Sequence, residues 1–221
     1  MVNVPSPFGG SDDTFDAYDE FVPGHAPAPG DFLDGHEVLD GSAHLAVHRL
    51  ARELFEQRAV YDMTFGYNLA RLNNDSRHPD AGYRYAVERP EAVEADLPTP
   101  DGGEGRADGE PTGDGSARVL RAEFTPTTAF CPQSDTLTRG SLRAWNGLAE
   151  RHEFALVRVR VAPMHQRATE INAALREAET ALVERGELPE SDGADTAASG
   201  DGFDEDAVPG PSARDGSRAP F

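Results

Sequence analysis

RVLRAEFT, at residues 118–125, and ALVRVRVAP, at residues 155–163, flank the part of the sequence that decides the fold. Both segments alternate apolar with polar side chains, which is typical of half-buried β-strands. Between them, residues 134–151 repeat apolar side chains at helical spacing. A strand, a helix and a second strand in this order predict a βαβ unit with parallel strands and a right-handed crossover.

Further periodic segments lie before and after this unit. Residues 42–58 and 166–185 have helical periodicity, and the second segment stops at Gly186, a residue type that often ends helices. Residues 60–72 and 82–89 alternate as strands do, and 82–89 is predicted to neighbour the first strand of the βαβ unit. The order α-β-β-β-α-β-α predicts an α+β fold in which helices cover a small mixed β-sheet.

The charge is unevenly distributed along the 221 residues. The chain has 40 acidic and 20 basic residues, and every basic residue is Arg, a composition that indicates a halophilic protein. Residues 1–35, 91–116 and 187–221 each carry a net charge of −7, without apolar periodicity. We therefore expect disordered acidic termini and a flexible acidic insertion, with one α+β domain at residues 36–186.

Several classes of protein are disfavoured by the composition. One cysteine excludes an internal disulfide, and the sequence shows neither a secretory signal nor an apolar stretch of membrane-spanning length. The few basic pairs in so acidic a chain argue against binding of nucleic acid. The prediction is a cytoplasmic protein without a membrane or nucleic-acid partner.

Cys131 is the first candidate functional residue. It lies in the loop TPTTAFCPQS (125–134), after a predicted strand and before a predicted helix, where helix N–H groups can stabilise a thiolate. The alternative is a small buried apolar residue, since free cysteines are commonly buried. The supporting hydroxyl groups around it are Thr127, Thr128, Ser134 and Thr136.

Histidines supply the other candidates. His165, in APMHQ, follows the second strand of the βαβ unit, so parallel strands would bring it to the same sheet edge as Cys131. His44 and His48 are spaced i, i+4 on the first helix, as metal ligands often are. A metal site made by Cys131, His165, His44 and His48 is one hypothesis, and capping or partly buried structural histidines are the other.

Four segments resemble a known family: FTPTTAFC (124–131), TLTRGSLR (136–143), VRVAPMH (159–165) and NAAL (172–175). In order and spacing they are similar to the small iron–sulfur assembly domain of SufT-type proteins and of the Mip-type subunit of the eukaryotic cytosolic iron–sulfur targeting complex. The resemblance covers residues 124–175. The Asp-Pro-Glu segment that follows the first helix in that family is absent here.

The resemblance implies an iron–sulfur cluster assembly or targeting factor, not an enzyme, with Cys131 as the functional thiol. Its partners would be client apo-proteins or assembly components. A cluster requires four ligands, so it would be bound transiently and shared with a client or a second copy in a homodimer. The alternatives are a mononuclear metal-binding protein or metal-dependent enzyme with a His/Cys site, and a structural interaction domain in which Cys131 is inert.

Overall fold

The computed structural model describes residues 14–88 and 118–188, and a four-stranded mixed sheet lies at its centre. The sheet order is β1-β4-β5-β6, and β4 runs antiparallel to both β1 and β5. β5 and β6 are parallel, with Leu120 opposite Val157. The predicted α+β class and parallel pair are confirmed. The strands are β1 Glu37–Val38, β4 Gly82–Val87, β5 Val119–Thr125 and β6 Leu156–Val161.

Three helices accompany the sheet. They are α1 (Gly41–Gln57), α2 (Ser134–Asn146) and α3 (Ala168–Arg185). α2 connects the parallel strands, and a short 3₁₀ turn at Ala149–Arg151 follows it. α3 ends at Gly186, whose φ of 68° is left-handed, so the residue predicted to cap this helix does so.

Aromatic side chains fill the inner face of the sheet, which α1 and α2 cover. Tyr83 and Tyr85 are fully buried and stack with ring centroids 5.9 Å apart. The Tyr83 hydroxyl lies 2.6 Å from the Ser141 hydroxyl on α2, so its polar end is satisfied. Phe55 of α1 and Trp145 of α2 are also fully buried in this core. The inner face therefore fixes α1 and α2 on the sheet.

The single strand predicted at residues 60–72 is wrong. The chain instead forms a short hairpin of β2 (Tyr61–Asp62) and β3 (Tyr67–Asn68), followed by a 3₁₀ helix at Leu69–Asn74. The Asp62 carboxylate accepts hydrogen bonds from the two backbone N–H groups that follow Met63, and Gly66 has a φ of 70°. These turn interactions reverse a chain whose alternation alone indicated an extended strand.

Residues 14–36 form an ordered segment, which we call the N-terminal strap. Disorder was predicted for residues 1–35, and this is wrong for 14–35: Leu33 is fully buried, and the backbone N–H of Asp16 donates to the Asn74 carbonyl over 2.7 Å. The strap has no helical or strand periodicity because side chains of β5 hold much of it, so the sequence pattern gave no signal. The disorder predicted for residues 1–13, 91–116 and 189–221 concerns segments that lie outside the described residues.

Charged side chains line the outer face of the sheet. Arg158 and Arg160 alternate with the inward valines of β6 and lie on this face, yet Arg160 is only 6% exposed. Glu179 of α3 forms ion pairs with both arginines, and its carboxylate lies 2.8 Å from the Arg160 guanidinium. Glu88 lies 2.6 Å from the Arg121 guanidinium. Alternation therefore predicted correctly that these side chains lie on the polar face of the sheet, but the strap and α3 cover that face.

Two contacts hold the strap on this outer face. The Glu123 carboxylate accepts a hydrogen bond from the Gly30 backbone N–H over 2.8 Å, and Arg121 donates to the Phe32 carbonyl over 2.8 Å. The guanidinium groups of Arg121 and Arg160 also lie 4.8 and 5.2 Å from the centre of the Phe32 ring. The strap is therefore a structural layer of the domain. In the described ranges, no helix has the length and apolar character to cross a bilayer.

Candidate functional site at Cys131

Cys131 lies in the loop between β5 and α2, at the carboxyl end of the parallel strand pair. Its backbone N–H donates to the Thr128 carbonyl over 3.4 Å, and its carbonyl accepts from the Ser134 N–H over 3.3 Å. The residue is neither fully buried nor fully exposed. The loop geometry is therefore that of a turn leading directly into the first residue of α2.

A small pocket adjoins this cysteine, which we call the Cys131 pocket. Its volume is about 120 Å³. The loops after β5 and after β6 form most of it, and the N-terminal ends of α2 and α3 lie at its border, where partial positive charge favours an anionic group. Its lining residues are Ala129, Phe130, Cys131, Pro132, Asp135, His165, Gln166, Arg167 and Ile171.

The structure brings His165 to Cys131, as the parallel strand order predicts. The Nδ1 atom of His165 accepts a hydrogen bond from the Arg167 backbone N–H over 3.2 Å. In the neutral ring, Nε2 then carries the proton and donates to the Cys131 carbonyl over 3.0 Å. Both ring nitrogens are therefore occupied, and the 5% exposed His165 acts as a positioning residue for the Cys131 loop.

A second hydrogen bond joins the same two loops. The backbone N–H of Gln166 donates to the Ala129 carbonyl over 2.9 Å. Together with the His165 contact, it fixes the Cys131 loop against the turn after β6. This arrangement requires both strands to be parallel and in the observed register, because only then do the two loops emerge side by side.

The four residues predicted to supply supporting hydroxyl groups differ in burial. Thr128 and Thr136 are exposed, Thr127 is half-buried, and Ser134 is fully buried. None of the four lines the Cys131 pocket. Their contribution to the loop comes from the main chain, through the Thr128 carbonyl and the Ser134 N–H.

His44 and His48 belong to a separate, buried cluster on α1. His48 donates from Nε2 to the Ala70 carbonyl over 2.9 Å, and its Nδ1 lies 3.1 Å from the Tyr85 hydroxyl. The His44 ring packs on Phe21, with centroids 4.9 Å apart. Burial lowers the pKa of His44 to about 3 and that of His48 to about 4, so both are neutral at pH 7.

The four residues of the predicted metal site are therefore not assembled. Cys131 and His165 meet, whereas His44 and His48 contact the strap, Ala70 and Tyr85 instead. Within residues 14–88 and 118–188, no group of three or more His, Cys, Asp or Glu side chains is placed to hold a metal ion. The i, i+4 spacing reflects two structural histidines on the inner face of α1.

Sequence reasoning missed the apolar side chains around the pocket. Phe130 precedes Cys131 and is 69% exposed, and Met164 precedes His165 and is 46% exposed. Neither belongs to a periodic segment, so no amphipathic pattern marks it. The available signal was an aromatic residue inside an otherwise polar, proline-flanked loop. Phe130 lines the Cys131 pocket, and Met164 is bonded to its lining residue His165.

Comparison with known proteins adds one match. A family model described as a domain of unknown function (DUF7998) matches residues 13–189, a range that includes the strap, every described helix and strand, and the Cys131 pocket. No curated protein and no solved structure matches the chain.

Proposed function

Because the chain belongs to the DUF7998 family, whose function is undefined, we propose a function from the site: a cytoplasmic, non-enzymatic factor in iron–sulfur protein maturation. It would dock client apo-proteins or assembly components at the Cys131 pocket. The observation that carries this proposal is a partly exposed cysteine that lines a small pocket together with the exposed Phe130.

The donor atoms around Cys131 favour an adaptor or transient carrier over a resident cluster site. A cluster requires four ligands, and the described residues offer one thiolate at this position. His165 is not a free ligand, since both of its ring nitrogens already bond to the main chain. Any cluster held here would therefore take further ligands from the client or from a second copy of the chain.

The position of the thiol also argues against an inert structural cysteine. The loop places Cys131 at the carboxyl end of a parallel strand, the edge of α/β units where ligands commonly bind. A cysteine that served only for packing would be expected among the buried side chains of the core, such as Leu137 and Val159, and Cys131 is not among them. The sequence resemblance over residues 124–175 supports the same assignment.

The test replaces the thiol with a hydroxyl. We expect Cys131→Ser to abolish the maturation of iron–sulfur client enzymes in cells that depend on this protein. Because Cys131 is partly exposed, the free energy of unfolding of this variant should differ from that of the unmodified protein by less than about 1 kcal/mol. The measurements are client enzyme activity, thermal unfolding, and metal content with visible absorption after anaerobic purification.

Thr128→Ala provides the matched control, because it removes an exposed polar group from the same loop and leaves the thiol. Client activity in this variant should equal that of the unmodified protein. Normal client maturation with Cys131→Ser would show that the thiol has no part in the function, and the proposal would be rejected.

A further inference from the structure

The two outer edges of the four-stranded sheet share one kind of contact. β6 has a neighbouring strand on one side, and β1 is in register with two residues of β4, Ala86 and Val87. A strand edge without a neighbour presents a row of backbone N–H and C=O groups, to which another strand can add. At three positions in the described part of the chain, an asparagine side chain takes the place of the missing strand.

Two of these asparagines pair with the backbone of β6. The Asn146 amide accepts a hydrogen bond from the Val157 N–H over 2.9 Å and donates to the Val157 carbonyl over 2.8 Å. The Asn172 amide makes the same two bonds with Val161, over 2.8 and 2.9 Å. The Ala162 N–H donates to β5 instead. Because successive residues of a strand direct their backbone groups to opposite sides, Val157 and Val161 face away from β5.

The third asparagine lies at the opposite edge of the sheet. The Asn73 amide, on the 3₁₀ helix before β4, accepts from the Tyr83 N–H over 2.7 Å and donates to the Tyr83 carbonyl over 2.8 Å. The Leu39 N–H bonds to the carbonyl of Tyr85, two residues further along this edge, so Asn73 continues the pairing where β1 stops. A Cβ atom at the neighbouring Gly82 would collide with the Asn73 amide, so glycine leaves the room that this contact needs.

Each of these contacts reproduces the pairing of a peptide group. A carboxamide holds an acceptor and a donor side by side, so it can bond to the N–H and the C=O of one residue at once. We call Asn73, Asn146 and Asn172 the edge asparagines. They belong to three separate elements, the 3₁₀ helix, the last residue of α2 and the first half of α3. The recurrence of one contact from three elements argues for a common role at the edges.

Charge protects a strand edge less well in concentrated salt. Exposed edges are commonly protected by charged side chains, above all Lys, which repel a second edge. This chain has no Lys, and molar salt shortens the Debye length to about 3 Å, so repulsion between copies is screened. A neutral amide that already occupies the backbone groups of the edge blocks them at any salt concentration.

We propose that the edge asparagines close both edges of the sheet against the addition of a further β-strand. A partner of this chain therefore binds through loops or side chains, such as those of the Cys131 pocket, and not by extending the sheet. The inference is independent of the proposed function, because it rests on the backbone contacts of β4 and β6 alone.

Asn172→Leu tests this role, because leucine has nearly the same shape and makes neither bond. We expect hydrogen exchange of the Val161 amide to become about tenfold faster, while exchange of the β5 amides stays unchanged. In molar KCl the variant should form larger assemblies than the unmodified chain, measured by sedimentation velocity. The Val161 amide should then regain protection as the protein concentration rises, which is the signature of strand pairing between copies.

Leu175→Ala is the matched control. Leu175 is fully buried on the same helix, one turn from Asn172, and its truncation leaves a cavity while the edge bonds remain. Amide exchange should become faster throughout the domain, and the sedimentation should equal that of the unmodified chain. If Leu175→Ala associates as strongly as Asn172→Leu, loss of stability rather than an open edge causes the association, and the proposal is overturned.

Asn172→Asp keeps the test decisive if the leucine variant fails to fold. Its carboxylate still accepts from the Val161 N–H but cannot donate to the carbonyl, so the edge is half open. We expect association in molar KCl and less in dilute salt, where the added charges repel each other. If either folded variant shows faster exchange at Val161 without added association in molar KCl, the edge asparagines only stabilise the fold and the proposal is rejected.

Discussion

His44 and His48 lie one turn apart on α1, with both imidazoles buried against Tyr85. Burial is the main cause that lowers both pKa values, and the nearby charges of Arg84, for His44, and Arg52, for His48, act in the same direction. The hydrogen bond from His48 to a backbone carbonyl opposes the shift without cancelling it. At the scale of single residues, this pair links the stability of the domain to acidity.

The resulting pH dependence can be predicted. An unfolded chain protonates these histidines below about pH 6.5, whereas the folded chain protonates His48 only near pH 4 and His44 only near pH 3. Stability is therefore complete above pH 6.5 and falls as the pH drops from 6.5 towards 4, by up to about 1.4 kcal/mol per pH unit for each histidine.

His44→Phe tests this assignment, because it keeps the ring contacts with Phe21 and Tyr85 and removes the titrating group. We expect the slope of the unfolding free energy between pH 4 and 6.5 to fall by about half, measured by denaturant unfolding at constant salt. The stability at pH 7 should change little. A slope equal to that of the unmodified protein would place the protonation at other groups.

The sequence predicts more about His165 than about the pair His44 and His48. The meeting of Cys131 and His165 follows from strand order, because parallel strands deliver their loops to one edge. The hydrogen bond from the Arg167 N–H decides which ring nitrogen of His165 carries the proton and leaves neither nitrogen free. No spacing in the sequence indicates this bond. The i, i+4 pair on α1 is compatible with metal binding and with burial alike, and only the packing of Tyr85 distinguishes them.

At the scale of elements, periodicity predicted the regular helices and strands. It missed the segments that side-chain hydrogen bonds hold in place. The helices and the strands β4, β5 and β6 were predicted within a few residues, since their periodic faces meet one common core. The strap and the β2–β3 hairpin were not, because Glu123 and Asp62 satisfy their backbone N–H groups. Such contacts join distant or irregular segments and leave no repeating pattern.

The strap supplies a prediction of its own. A Cβ atom added at Gly30 would lie 2.5 Å from a Glu123 carboxylate oxygen, so Gly30→Ala must displace one of the two. Glu123 is only 2% exposed, and this burial raises its pKa against the lowering effect of the Gly30 and Phe32 N–H groups. We expect Gly30→Ala to destabilise the domain by about 1–3 kcal/mol, measured by denaturant unfolding, and to speed proteolysis of the strap.

Gly24→Ala is the control for this substitution. A Cβ at Gly24 meets no atom within 4 Å, and the residue belongs to the same strap. Its unfolding free energy and proteolysis rate should match those of the unmodified protein. Equal stability of the two variants would mean that the strap does not depend on the contact with Glu123.

At the scale of the whole molecule, the net charge predicts how the stability of the fold depends on salt. The chain carries a net charge of −20, and residues 189–221, outside the described part, contribute −6 of it. Like charges in a compact state repel, and salt screens that repulsion. The described core contains its own compensation, since Arg121, Arg158 and Arg160 pair with acidic side chains on the outer face of the sheet.

A chain that ends at Leu188 should therefore fold at a lower KCl concentration than the full chain. The measurement is the unfolding temperature as a function of KCl, and the shortened chain should show the weaker salt dependence. In molar KCl the two unfolding temperatures should converge, because screening removes the difference. The same salt dependence in both chains would locate the salt requirement in the folded core.

The strap docks on strands that follow it in the sequence, which constrains the order of folding. Residues 14–36 are translated before β5 and β6, yet the surface that holds them consists of Arg121 and Glu123 on β5 and Arg160 on β6. The strap therefore cannot dock until both strands have been synthesised, so its contacts form late in folding.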